Sequence, residues 1–157
     1  MAITRFTGEN LGSLVAIEYI AVQDLESFLS GPGGTIAAAG IVFKSGKDWT
    51  PIYCSEDTMG HHQAQVNDDT GQSFAQTVVG FVPGDQPAIE SGLLGLQNTR
   101  YILRVTRPDG LQKIVGTQLE PLELLQDSDS QTTVPGTAGT ALTFGGATIQ
   151  RALVYTG

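Results

Sequence analysis

Arg100-Tyr-Ile-Leu-Arg-Val-Thr-Arg-Pro-Asp-Gly-Leu-Gln-Lys-Ile-Val-Gly-Thr117 is a β-hairpin written in sequence. Tyr101, Leu103 and Val105 alternate with Ile102, Arg104 and Thr106, the period of two that a half-buried strand requires. Pro108-Asp109-Gly110 supplies the reversal, because proline fixes φ and glycine accepts a positive one. Lys113, Ile114 and Val115 open the return strand.

Working outward, the same punctuation recurs. His62 to Val66 and Ser73 to Val82 flank the turn cluster Asn67-Asp-Asp-Thr-Gly71, predicting a second hairpin over 61–82. Ala141 to Phe144 and Ala147 to Tyr155, separated by Gly145-Gly146, predict a third. Leu14 to Val22, Gly40 to Phe43 and Trp49 to Cys54 are further strand candidates. Gln118 to Leu125 reads as a strand interrupted by Pro121, and Asp127 to Thr140 as a polar loop.

A short helix is expected over Asp85–Leu96. Asp85 is placed to cap it, Pro87 suits its first turn, and Ile89, Leu93 and Leu96 share a face. A second short helix fits Asp24–Leu29. Residues 1–12 read as an extended arm. The expected fold is mainly β, a sandwich or barrel with one short flanking helix, in a single domain over 1–157.

Composition narrows the function. Acids outnumber bases 16 to 8, for a net charge of −8, and no three bases are consecutive. A protein that grips duplex phosphates needs clustered lysine and arginine, so that class is disfavoured. Charged residues are 15% of the chain against ~25% in an average soluble domain. Sparse charge suits a surface that is covered by copies of itself. No run approaches the ~18 apolar residues of a membrane helix, and no signal peptide is evident. The single Cys54 excludes an intrachain disulfide framework.

No catalytic, cofactor or metal site emerges. His61-His62 lies near Cys54, Glu56, Asp57, Asp68 and Asp69, but adjacent histidines on a strand point to opposite faces. Asp69-Thr70-Gly71 has the aspartic-protease wording, yet Asn67-Asp68 before it reads as a polar turn. Asp127-Ser-Asp-Ser-Gln131 starts like a calcium loop but lacks glycine at its sixth place, which is Thr132. The glycines of Ser30–Thr35 have no following lysine, so they form a loop and not a phosphate cradle. Cys54 and His61 form no evident nucleophile pair. Trp49, Tyr53 and Tyr101 are the aromatics available for a carbohydrate-binding face. The expectation is a non-enzyme without cofactor or metal.

The C-terminal half has a further signature. Tyr101-Ile-Leu-Arg-Val105, Pro108-Asp-Gly110, Ile114-Val-Gly-Thr117, Glu120-Pro-Leu-Glu-Leu-Leu125, Thr143-Phe144-Gly145-Gly146 and Val154-Tyr155 resemble the strand and turn pattern of tail-tube-like virion proteins of tailed bacteriophages. The resemblance spans roughly residues 72–157. It implies a small β domain packed into rings, proposed as hexameric, that stack into the conduit for genome ejection. It also implies partners: other copies, other tail proteins, and DNA only in transit through an acidic lumen. The location implied is the virion tail, after assembly in the host cytoplasm. It carries over no catalytic residue. Neck, tail-terminator and capsid-decoration proteins share the same motif-free, acidic look, and a carbohydrate-binding module is a more distant alternative.

Arg100, Arg104, Arg107 and Lys113 are half of the chain's eight bases, set in one hairpin against an acidic remainder. They are the candidate subunit-contact residues, and reversing Arg104 to glutamate is expected to weaken oligomers at low salt. The segments Gly31–Gly34 and Asp127–Gly139 are candidates to order on stacking.

Overall fold

The computed structural model describes residues 3, 5, 12–84, 86–132 and 138–157. Its centre is the first strand of the opening hairpin. In chain order the strands are β1 (Ala16–Ala21), β2 (Leu25–Phe28), β3 (Thr35–Ile36), β4 (Ile41–Phe43), β5 (Thr50–Ile52), β6 (Gly60–Asp68), β7 (Gly71–Pro83), β8 (Arg100–Thr106), β9 (Gln112–Val115), β10 (Leu122–Asp129), β11 (Gly139–Thr148) and β12 (Leu153–Tyr155). One α-helix, α1 (Pro87–Leu94), joins β7 to β8. The protein is mainly β with one short helix, as its residue patterns predict.

β8 pairs with β1 along all but its first residue, from Ala16 opposite Thr106 to Ala21 opposite Tyr101. Its other edge is shared by β9, at Leu103–Thr106, and β10, at Arg100–Tyr101. β10 continues into β11, β11 into β7, and β7 into β6. The ten-stranded sheet therefore folds over, and its two limbs enclose the larger core. Ile17, Leu103, Val105 and Val115 come from one limb; Val78, Val82, Leu142 and Phe144 come from the other.

A second core lies on the opposite face of β8. Ile102, Ile20, Ile114 and Leu153 meet Leu25 and Ile41 of the two-stranded β2–β4 ribbon, with Ile36 fully buried between. Thus β8 is not half-buried: Tyr101, Ile102, Leu103 and Val105 are all buried, and its two faces serve different cores. Strands covered on both faces read as apolar runs, and Tyr101-Ile102-Leu103 is one, with Arg104 the charged exception.

The helix is anchored at its C-terminal end. Leu93 and Leu96 are buried and Ile89 packs on the larger core. The Tyr101 hydroxyl donates to the Leu96 carbonyl at 2.7 Å, and the Gln126 amide donates to that of Leu93 at 2.9 Å. The Tyr101 bond takes up a carbonyl just past the helix end, and the Gln126 bond adds a second donor to the Leu93 carbonyl, which already accepts from the Leu96 amide at 3.1 Å. The helix begins at Pro87 with Gln86 as its N-cap; Asp85 lies outside the described residues.

Three expectations are corrected. Gly145-Gly146 is not a turn, because β11 runs through both residues to Thr148. The reversal falls at Ile149–Gln150, and β12 pairs with β9 and, in parallel, with β3. Gly146 serves close packing: a Cβ there would lie 3.0 Å from Leu122 Cδ2. Asp127–Asp129 are strand and not loop, paired with Ala141–Gly139; residues 133–137 of the predicted loop lie outside the described residues. Asp24–Leu29 is not helical. A single 3-10 turn, Val22–Asp24, leads into β2, where Leu25 is buried. Of the predicted arm, only residues 3, 5 and 12 are described.

Candidate functional site: a polar seam and a cationic mouth

The hairpin β6–β7 is the longest in the fold. Asp69-Thr70 forms its turn, with Asp68 opposite Gly71. Asp68 Oδ1 accepts from the Thr70 amide at 2.9 Å and from its hydroxyl at 2.6 Å, and these bonds hold the carboxyl below its usual range. The Asp-Thr-Gly wording is thus a turn with an aspartate lid. β11 pairs with β7 only as far as Phe74, so the tip beyond it has no second neighbour among the described residues.

Counting back from the turn puts Gln63 opposite Gln76 and His61 opposite Val78. Gln76 is 1% exposed and is the hub of a polar seam. His61 Nε2 donates to Gln76 Oε1 at 2.8 Å. The Gln76 amide donates to Gln63 Oε1 at 3.0 Å and to Thr148 Oγ1 at 3.3 Å. Gln63 Oε1 also accepts from the Ala152 amide at 3.0 Å, and the Thr148 hydroxyl donates to the Gln150 carbonyl at 2.6 Å. The seam therefore ties the reversal between β11 and β12 to the β6–β7 hairpin. Satisfied buried networks of this kind fix one arrangement of strands.

At the open end of the larger core, His61 lines a cavity of about 350 Å³ with Val105, Arg107, Lys113 and the segment Gly12–Leu14. Lys113 shares the face of Val115 because the two are two residues apart on one strand. Its ammonium is held below the ordinary lysine range by burial, and then by repulsion from Arg151 and Arg107. His61 is also held low, by burial foremost; the Gln76 bond opposes this, and Lys113 and His62 add to it. Arg107 pairs with Asp109 at 3.7 Å. Among the described residues, neither Lys113 nor Arg151 has a carboxylate within ion-pair distance.

The four candidate contact residues do not form one patch. Arg100 is exposed and pairs with Glu123 at 2.6 Å. Arg104 lies on the other face of β8 from Arg107 and Lys113. Its guanidinium forks onto Glu18, Nε to Oε1 at 3.1 Å and Nη2 to Oε2 at 2.7 Å. It also sits 5.1 Å from the Trp49 ring centroid and 5.3 Å from that of Tyr155. Only Arg107 and Lys113 come together, with His61, which residue patterns had set aside. The register from the Asp69-Thr70 turn aligns Gln63 with Gln76 and so sets His61 near the seam, but it does not bring His61 to Arg107 and Lys113. Nothing local announces the Glu18–Arg104 pair, since 86 residues separate them.

Other sequence candidates take structural places. Cys54 is buried, its thiol pushed up to about 11 by burial, which leaves it protonated at neutral pH. His62 is exposed while His61 turns inward. Among the described residues, no three His, Cys, Asp or Glu side chains gather as a metal site requires. Tyr101 is 2% exposed, and Trp49 packs edge-on against Phe43 at 5.6 Å, so only Tyr53 of the three carbohydrate candidates stands on the surface. No described helix is long and apolar enough to cross a membrane. Comparison of the chain with protein-family models, curated proteins and solved structures returned no match.

Proposed function

We propose that this chain is a self-assembling structural subunit whose copies associate through their sheet edges. More particularly, the tail-tube-like wording of residues 72–157 favours the tube of a tailed-bacteriophage tail, with stacked rings surrounding DNA in transit. The observation that carries the proposal is β6. This nine-residue strand pairs with β7 alone among the described residues, and Gly-His-His-Gln-Ala-Gln-Val-Asn-Asp contains no lysine or proline. Monomeric proteins blunt a long free edge with such residues, shorten it or cover it; an unblunted edge is a template for another chain. Ring closure satisfies such edges and stops further growth.

Further support comes from apolar side chains left on the surface. Leu119 is 93% exposed, beside Ile149 and Phe28 in one groove, and Tyr53 is 78% exposed beside β5 and α1 in another. Sedimentation velocity and negative-stain electron microscopy of the purified protein test the proposal. Rings or tubes are the expected result. A protein that stays monomeric at every concentration overturns it, and a discrete compact oligomer without rings supports a decoration protein instead.

A further inference from the structure

The chain carries its acid and its base at opposite ends of one strand. The tip of β6–β7 presents Asp68 and Asp69, both exposed, beyond the last residue paired with β11. The mouth at the other end gathers His61, Arg107 and Lys113, with Arg151 close enough to repel Lys113. Seven residues separate His61 from Asp68 on β6. At ~3.3 Å per residue that is about 23 Å, so the tip cannot return to the mouth of its own chain.

In a protein of net charge −8, Lys113 and Arg151 are nonetheless left without an acidic partner among the described residues. The cavity around Lys113 is open and has room for a side-chain carboxylate. We propose that the Asp68–Asp69 tip of one copy seats in the His61, Arg107 and Lys113 mouth of the next. This rests on the assembly reading above and names its contact.

The physics favours this occupant. The Asp69-Thr70 turn is pre-formed, since Asp68 already binds Thr70, so little ordering is lost when the tip docks. The exposed carboxylate of Asp69, which takes no part in these bonds, stands beside Asp68 for a cation. Because the two surfaces differ, the contact is head-to-tail; such contacts close into rings when the rotation between copies permits, and otherwise give filaments. Opposite potentials on the two ends also speed encounter and oppose head-to-head pairing.

Charge reversal with mixing is the test. Asp68→Lys combined with Asp69→Lys makes both ends basic; Lys113→Glu sets a carboxylate in the mouth against the acidic tip. Each protein alone is expected to associate about tenfold more weakly than the parent at low ionic strength. An equimolar mixture is expected to recover association, because each tip then meets a mouth of opposite charge. Circular dichroism and melting temperature establish that each variant is folded. Lys113→Gln serves if Lys113→Glu does not fold, with the same loss expected and rescue by Lys113→Arg. Parent-like association of either folded variant, or a mixture no stronger than its components, overturns the contact. A parent that never associates overturns the assembly reading itself.

Discussion

Removing the Arg104 guanidinium should cost the fold more than it costs any interface. Arg104 and Glu18 face each other directly across the β1–β8 ladder, and their side chains are only 18% and 21% exposed. Breaking one partner of a fully buried pair costs ~3–5 kcal/mol, because the remaining charge is left desolvated. About a fifth of each side chain reaches solvent here, which screens the orphan and lowers the expected cost to about 2–3 kcal/mol. Loss of the Trp49 and Tyr155 contacts adds ~0.5–1 kcal/mol each where the rings are partly exposed. Arg104→Met should thus lose about 3–5 kcal/mol in all, and Arg104→Glu more, since two carboxylates would then face each other. Replacing both partners, Glu18→Leu with Arg104→Met, should recover most of the loss. Urea unfolding followed by tryptophan fluorescence reads this directly, because the only tryptophan, Trp49, is part of the cluster. A loss below ~1 kcal/mol for Arg104→Met, or a double variant weaker than the single, would refute the reasoning. It follows that Arg104→Glu reads the fold before it reads association, and Lys113 is the cleaner probe of a contact.

Three other outcomes are expected. Gln76→Ala strips the partner from His61, Gln63 and Thr148 together, and should cost about 2 kcal/mol in urea unfolding while lowering the His61 pKa further, as followed by NMR. Gly80→Ala puts a Cβ 2.7 Å from Cys54 Sγ in the larger core; the loss should be ~1–3 kcal/mol, and Cys54→Ala in the same chain should return part of it, with additive losses counting against the clash. His61 is held below its ordinary 6.5, so the folded state favours the neutral ring: its contribution is complete above pH 6.5 and declines as pH falls through that value towards the lowered folded pKa. Unfolding free energies across this range should therefore drop on the acid side, and His61→Gln should flatten the drop; an unchanged slope would assign the acid sensitivity to other groups.

The hairpins were legible where short-range chemistry decided the outcome. At Pro108-Asp109-Gly110, Gly110 adopts φ +87°, its amide donates to the Arg107 carbonyl at 3.0 Å, and Asp109 Oδ1 accepts from the Leu111 amide at 3.1 Å. At Asp68–Gly71 the aspartate likewise writes its own turn. Gly145-Gly146 misled because glycine signals two things. Here neither residue has a positive φ, and Gly146 serves by the absence of a side chain against Leu122. Asp127–Asp129 misled because a ladder already in register carries polar residues along it when their side chains face solvent. The mouth was half legible. Arg107 and Lys113 share a face by hairpin parity, but His61 arrives from another limb of the sheet, which no local pattern predicts. The burial of both faces of β8 was written in three consecutive apolar residues, Tyr101-Ile102-Leu103, but alternation alone does not separate a strand covered once from one covered twice.

That double cover has a consequence for how the protein opens. A conventional sandwich can loosen one layer while its other face stays intact. Here Leu103 and Val105 close the larger core and Ile102 the smaller, within four residues of one strand. Neither core can be breached by displacing β8 without exposing the other. The β8 amides should therefore be the last to exchange with deuterium, on the timescale of global unfolding, and the β2–β4 ribbon should melt in the same transition as the large sheet.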